Sequence, residues 1–177
     1  GVNKDYTAAF KWFRKAAEQE NAQAQYNLGV MYQQGDGVTQ NFTEAVKWYQ
    51  KAASNGDSDG QINLGFMYLN GLGIPKNFTE ALKWFHKAAE QGEAIAQNNI
   101  GMMYMNGDGV AKDFEEALKW LSKSAEQGYP VAQFNIGKMY AEGKGVTKSA
   151  DEARYWLEKA AAQGHEDARK ELSKLNE

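Results

Sequence analysis

Apolar positions return along this chain at three- and four-residue spacing, in blocks that recur every 36 residues without insertion. The block AQYNLGVMYQQGDGV at Ala24–Val38 comes back as GQINLGFMYLNGLGI from Gly60, AQNNIGMMYMNGDGV from Ala96 and AQFNIGKMYAEGKGV from Ala132. A fixed period of this length marks a repeat architecture, in which each unit buries its apolar face only against its neighbours. The units read as 1–36, 37–72, 73–108, 109–144 and a shorter fifth at 145–177. Together they predict an all-α, α/α superhelical solenoid of about five 36-residue helix-turn-helix repeats, forming one repeat domain over 1–177.

Each repeat resolves into two helices. Helix B runs from about Phe42 to Asn55, where Phe42, Ala45, Val46, Trp48, Tyr49, Ala52 and Ala53 share one face. Asn41 with Glu44, Asn77 with Glu80, Asp113 with Glu116 and Ser149 with Glu152 match a capping box at its start. Gly56, Gly92, Gly128 and Gly164 mark its end as left-handed residues, a place taken by Glu20 in the first unit. Helix A spans about Ala22 to Gln34 and closes on Gly35, Gly71, Gly107 and Gly143. Within it Gly29, Gly65, Gly101 and Gly137 each disfavour the helix by about 1 kcal/mol relative to alanine. Close helix contact offsets that, the missing side chain leaving room for an aromatic such as the tryptophan column Trp12, Trp48, Trp84, Trp120 and Trp156.

The pattern A-x-x-x-LG-x-MY-x-x-G-x-GV, followed by a capped EA-x-KW-aromatic-x-KAA-x-x-G helix, resembles the Sel-one-like repeat (SLR) family, relatives of the tetratricopeptide repeats. Leu28, Gly29, Tyr32, Gly35, Gly37, Trp48, Ala52, Ala53 and Gly56 carry the likeness, which extends over essentially the whole chain. It implies a right-handed α/α superhelix with helix A inside and helix B outside. It also implies an adaptor role in bacterial signalling, envelope or host contact, or in eukaryotic protein quality control. The cysteine-rich branch, stapled by disulfides and in part linked to β-lactam binding, is not matched, because the chain has no cysteine. A β-lactam-binding or hydrolase activity, and a self-assembling structural segment, stand as the alternatives.

The repeat register indicates where a partner would bind. On helix A, Ala24, Leu28, Gly29, Met31 and Tyr32 occupy one side and repeat, whereas columns 23, 26, 30, 33 and 34 fill the opposite arc and vary. The variable stripe holds Tyr26, Val30 and Gln33, then Ile62, Phe66 and Leu69, then Asn98, Met102 and Met105, then Phe134 and Lys138. Its apolar middle predicts a surface for a partner helix or extended peptide, with packing between successive A helices as the other reading. Asn27, Asn63, Asn99 and Asn135 border it as an amide ladder that could bond a peptide backbone or serve the repeats themselves. Gln25, Gln61, Gln97 and Gln133 lie nearer the buried side and read as structural.

Charge and composition narrow the function. A net charge of −3 supplies no field for phosphate backbones, so nucleic acid is not an expected partner. No apolar run approaches the roughly 18 residues of a membrane span. A soluble chain is expected; its compartment is left open, with the bacterial periplasm, or secretion with the signal segment removed, as candidates. His86 and His165 have no spaced partner, so no metal, cofactor or catalytic residue is predicted. Asp57-Ser58-Asp59-Gly60 reads as a helix start rather than a calcium loop, since Tyr68 stands where a loop needs glutamate. The sequons at Asn41 and Asn77 coincide with helix caps. Lys47, Lys51, Lys83 and Lys87 are expected on a solvated face away from the tryptophans.

The two ends read differently. Gly1 falls in the column of Gly37 and Gly73 and is not Met, which suggests a piece of something longer. The helix holding Tyr6, Phe10, Trp12 and Phe13 has no A helix before it, so a monomer lacking upstream repeats, or a dimer through this open edge, is expected. From His165, Ala168, Leu172 and Leu175 persist while Arg169, Glu171 and Ser173 replace the recurring Gln, Asn and Gly, giving a C-terminal capping helix.

Overall fold

The computed structural model describes residues 5–175. The reading of Gly1 lies outside them. Among the described residues there are ten helices and no strand: α1 (Tyr6–Ala17), α2 (Ala22–Gln34), α3 (Phe42–Ser54), α4 (Ser58–Asn70), α5 (Phe78–Glu90), α6 (Ala94–Asn106), α7 (Phe114–Glu126), α8 (Pro130–Glu142), α9 (Ala150–Ala162) and α10 (Glu166–Leu175). The even-numbered helices are the A helices and the odd-numbered ones the B helices. The chain falls into two compact units, 1–91 with α1–α5 and 92–177 with α6–α10. Each unit is an all-α stack of helix pairs.

The mid-helix glycines are explained by contact, with one correction to the expected partner. A Cβ on Gly29 would lie 2.6 Å from the Tyr49 ring, and one on Gly65 would lie 2.7 Å from Phe85. In the second unit Gly101 and Gly137 face Leu121 and Leu157 at the same 2.7 Å. The residue pressed onto each glycine is therefore the one following the tryptophan. Tyr49, Phe85, Leu121 and Leu157 are all fully buried, whereas exposure at the tryptophans runs from 7% at Trp84 to 70% at Trp12.

Lysines three residues after the tryptophans also differ from expectation. Lys51, Lys87 and Lys123 hold their Nζ over the Trp48, Trp84 and Trp120 rings at 4.1, 4.5 and 4.2 Å. Residues three apart on a helix are surface neighbours, and the ring face attracts the ammonium. These exposed lysines thus fold their charged ends back over the rings instead of pointing away from them.

The helix caps form, but only half of each capping box does. Asn41 Oδ1 accepts from the Glu44 amide at 3.1 Å, Asn77 Oδ1 from Glu80 at 3.1 Å, and Ser149 Oγ from Glu152 at 3.2 Å. The acids do not reach back to the cap. Each cap amide is already used: Asn41 donates to the Tyr32 carbonyl at 2.8 Å, Asn77 to Tyr68 at 2.9 Å and Asp113 to Tyr104 at 3.0 Å. Glu80 and Glu116 turn instead to Lys83 and Lys119, at 3.2 and 3.0 Å. One backbone bond per repeat thereby ties the end of an A helix to the start of the next B helix.

Glu20 keeps the left-handed geometry of its glycine counterparts, with φ of 62°. At Gly56, Gly92, Gly128 and Gly164 a Cβ would meet nothing within 4 Å, so the column asks for glycine through φ alone. Glu20→Gly is therefore expected to raise stability by about 1 kcal/mol. An unchanged urea midpoint would contradict this.

The glutamine column is structural, as expected. Gln61 Nε2 donates to the Ala53 carbonyl at 3.2 Å, while its Oε1 accepts from Gln91 Nε2 at 2.9 Å. Gln91 Nε2 also reaches the Gly56 carbonyl at 3.1 Å. The same three-way clamp recurs at Gln25 with Asn55 and at Gln133 with Gln163. Each clamp joins the ends of two successive B helices through the A helix between them. Gln61→Leu should cost about 1–3 kcal/mol, since it removes two buried hydrogen bonds at once: the donor that the Ala53 carbonyl holds besides the Gly56 amide, and the acceptor of Gln91. Thermal unfolding checks it, and a loss under about 0.5 kcal/mol would mean that water replaces the clamp.

Candidate functional site

On every A helix of the repeats the fixed columns point inward. In α2 these are Ala24, Gln25, Leu28, Gly29 and Met31, and in α4 Gly60, Gln61, Leu64, Gly65 and Met67. Solvent meets the opposite line, with steps of four, three and four residues. In the first unit that line is Gln23, Asn27, Val30 and Gln34 on α2, and Asp59, Asn63, Phe66 and Asn70 on α4. Such steps stay on one side of a helix turning 3.6 residues per turn.

The candidate residues of this unit divide into two groups. Ile62 is buried, at 4% exposure, so it packs and offers a partner little surface. Tyr26 is half-buried with its ring 6.0 Å from Tyr49. Burial raises its hydroxyl pKa above the usual tyrosine value, and the carboxylates of Asp59 and Asp57 add to that against a hydrogen bond with Asn63. Column 26 thus lies where successive A helices meet. Phe66 is half-exposed and stands edge-on to Phe85, with ring centroids 5.3 Å apart. Val30, Leu69, Asn27 and Asn63 are also partly exposed.

In the second unit Asn98 is buried at 6% exposure, and its Oδ1 accepts from Asn135 Nδ2 at 3.0 Å, tying α6 to α8. Asn99, Met102 and Met105 are partly exposed, and Met105 packs at the edge of the core around Leu121 and Ile136. Phe134 stacks on His165 at 4.6 Å, with Lys138 Nζ 5.7 Å from the same ring. His165 Nδ1 accepts from the Ala168 amide at 3.3 Å, which makes it the start of α10.

The asparagine column does not form a uniform ladder. Asn63 Nδ2 donates to the Asp59 carbonyl at 2.9 Å, and Asn99 Nδ2 to Ile95 at 2.7 Å, each one turn back on its own helix. Asn135 is given over to the bond with Asn98. Two exposed apolar residues, Leu72 and Tyr155, escaped the sequence reading. Leu72 is 39% exposed just beyond the left-handed Gly71, in a column otherwise held by Asp36, Asp108 and Lys144. A lone apolar residue in a charged column was the available signal.

The A-helix face offers apolar contact and amide hydrogen bonds. Asp57 starts α4 by accepting from the Gly60 amide at 2.7 Å, as a helix cap rather than a calcium loop. Among the described residues no group of three or more His, Asp or Glu side chains is placed to hold a metal ion, and no helix is long and apolar enough to cross a membrane.

Comparison with known proteins keeps the 36-residue period but begins each full unit at an A helix. The Sel1 repeat model matches residues 1–21, 22–57, 58–93, 94–129 and 130–165. A crystal structure of a Sel1 repeat protein from Oxalobacter formigenes is 40% identical with a TM-score of 0.94, over 100% of this chain and 70% of that one. A protective antigen present in uropathogenic Escherichia coli strains, displaying an SLR fold, is 42% identical with a TM-score of 0.92, over 97% of this chain and 37% of that one. Helicobacter pylori cysteine rich protein B is 27% identical with a TM-score of 0.58, over 74% of this chain and 94% of that one. No curated protein matches the chain. With five repeat units in register and the columns that define them turned into the core, the chain belongs to the Sel1 repeat family.

Proposed function

We propose that this chain is a scaffold that binds a protein or peptide through the exposed line of its A helices and performs no chemistry of its own. One observation carries the reading. The columns that repeat are buried, while the outward line changes from unit to unit and holds Val30, Phe66, Ile95 and Met102, all at least partly exposed. Side chains released from packing that remain large and apolar suit a partner, and methionine adapts to varied surfaces. Family membership supports the same reading, since Sel1 repeats commonly serve as protein-interaction scaffolds. Asn27, Asn63 and Asn99 supply polar contacts beside the apolar ones, whereas Ile62, Asn98 and Asn135 hold the face in shape.

A pull-down from extract of the source organism tests this, comparing the native chain with the double variant Phe66→Glu, Met102→Glu after circular dichroism shows both equally helical. A partner kept by the native chain and lost by the variant is the expected result. A partner kept equally by both moves binding to the B helices or to the face of α1.

A further inference from the structure

Among the described residues, the A helices of the first unit carry no cation. Neither α2 nor α4 contains a lysine or arginine, whereas α3 carries Lys47 and Lys51 and α5 carries Lys83 and Lys87. Those lysines are engaged on their own helices, Lys83 with Glu80 at 3.2 Å, and Lys51 and Lys87 with tryptophan rings. Lys76, in the connection between α4 and α5, turns over the Phe78 ring at 4.4 Å. The α2–α4 face keeps acids instead. Asp59 is exposed on the outward line, and Asp57 lies half-buried at the start of α4. The field of both carboxylates reaches the Tyr26 hydroxyl on the neighbouring helix.

We propose that the segment seated on the α2–α4 face is basic, placing an apolar side chain on Phe66 and Val30 and a lysine or arginine beside Asp59. The inference rests on the binding role proposed above and adds the chemistry of the partner. Asp59 and Phe66 are seven residues apart on one helix face, about 10 Å at 1.5 Å per residue. An extended segment covers that distance in about three residues, so its cation stands three positions from its apolar anchor. A face with acids and no cation attracts such a segment and repels acidic ones, which gives selection among partners of similar apolar content.

Selection from a random twelve-residue peptide library against the whole immobilised chain tests the proposal. The native chain should enrich peptides of net positive charge with Lys or Arg three positions from an apolar residue. Asp59→Lys should remove that charge bias and weaken a selected peptide about tenfold by fluorescence anisotropy, with the difference shrinking as salt is raised. Glu90→Lys makes the same change of net charge at the end of α5 and should leave the bias intact. Phe66→Glu should abolish enrichment altogether. Peptides that depend on Phe66 but show no positive bias, or a negative one, would overturn the charge inference and leave the binding role standing. Enrichment indifferent to Phe66→Glu would instead overturn the binding role on this face.

Discussion

Phe85→Ala is expected to destabilise the chain by roughly 3–5 kcal/mol, as the loss of a fully buried aromatic side chain. The ring fills the space left open at Gly65, where an added Cβ would come within 2.7 Å of it, and it carries the edge-on contact with Phe66. Gly65→Ala gains about 1 kcal/mol of helix propensity. Overlap with a ring that has no room to move outweighs that gain, so this single change should cost about 1–3 kcal/mol. Combined with Phe85→Ala, the new methyl occupies part of the vacated volume, and the double variant should lose at least about 1 kcal/mol less than the sum of the two. Urea midpoints of the four proteins provide the cycle. Strict additivity would mean that glycine and ring are not the coupled pair described here.

The second large effect is expected at Trp84, where alanine should cost roughly 3–5 kcal/mol. Trp84 is 7% exposed and packs with Ala45, Val46, Tyr49 and Leu64, under the ammonium of Lys87. Trp12 occupies the same column but is 70% exposed, so its replacement by alanine should cost under about 1 kcal/mol. The two variants remove the same side chain from the same repeat position, which makes the difference a measure of burial alone. A loss below about 1 kcal/mol at Trp84 would show that this column is not core.

Much of this fold was legible because five copies of one unit were aligned by the chain itself. The period gave the helix pairs, and the recurring glycines and cap residues gave their limits to within a residue. Helix phase alone did not say whether Trp84 or Phe85 meets the mid-helix glycine. The two are adjacent on one apolar arc, and the choice depends on how neighbouring helices cross. Helix phase also put Lys87 away from Trp84, because it locates Cα atoms and not a long side chain that folds back over a ring three residues earlier. The capping boxes were half right for a related reason. The sequence shows Asn77 and Glu80, but not that the Tyr68 carbonyl has already taken the Asn77 amide. On the candidate face, variability between units separated outside from inside at Phe66 and Met102. It failed at Ile62 and Asn98, where a variable column is buried because neighbouring A helices contact each other there and each pair packs with its own side chains.

Hydrogen–deuterium exchange of the chain, alone and with a partner recovered through its Phe66-dependent binding, tests the central claim most directly. Partner binding should slow exchange in peptides from 22–34 and 58–70, helices α2 and α4, and leave 42–54 and 78–90, helices α3 and α5, unchanged. Protection concentrated in α3 and α5 would place the interface on the B helices and contradict the account.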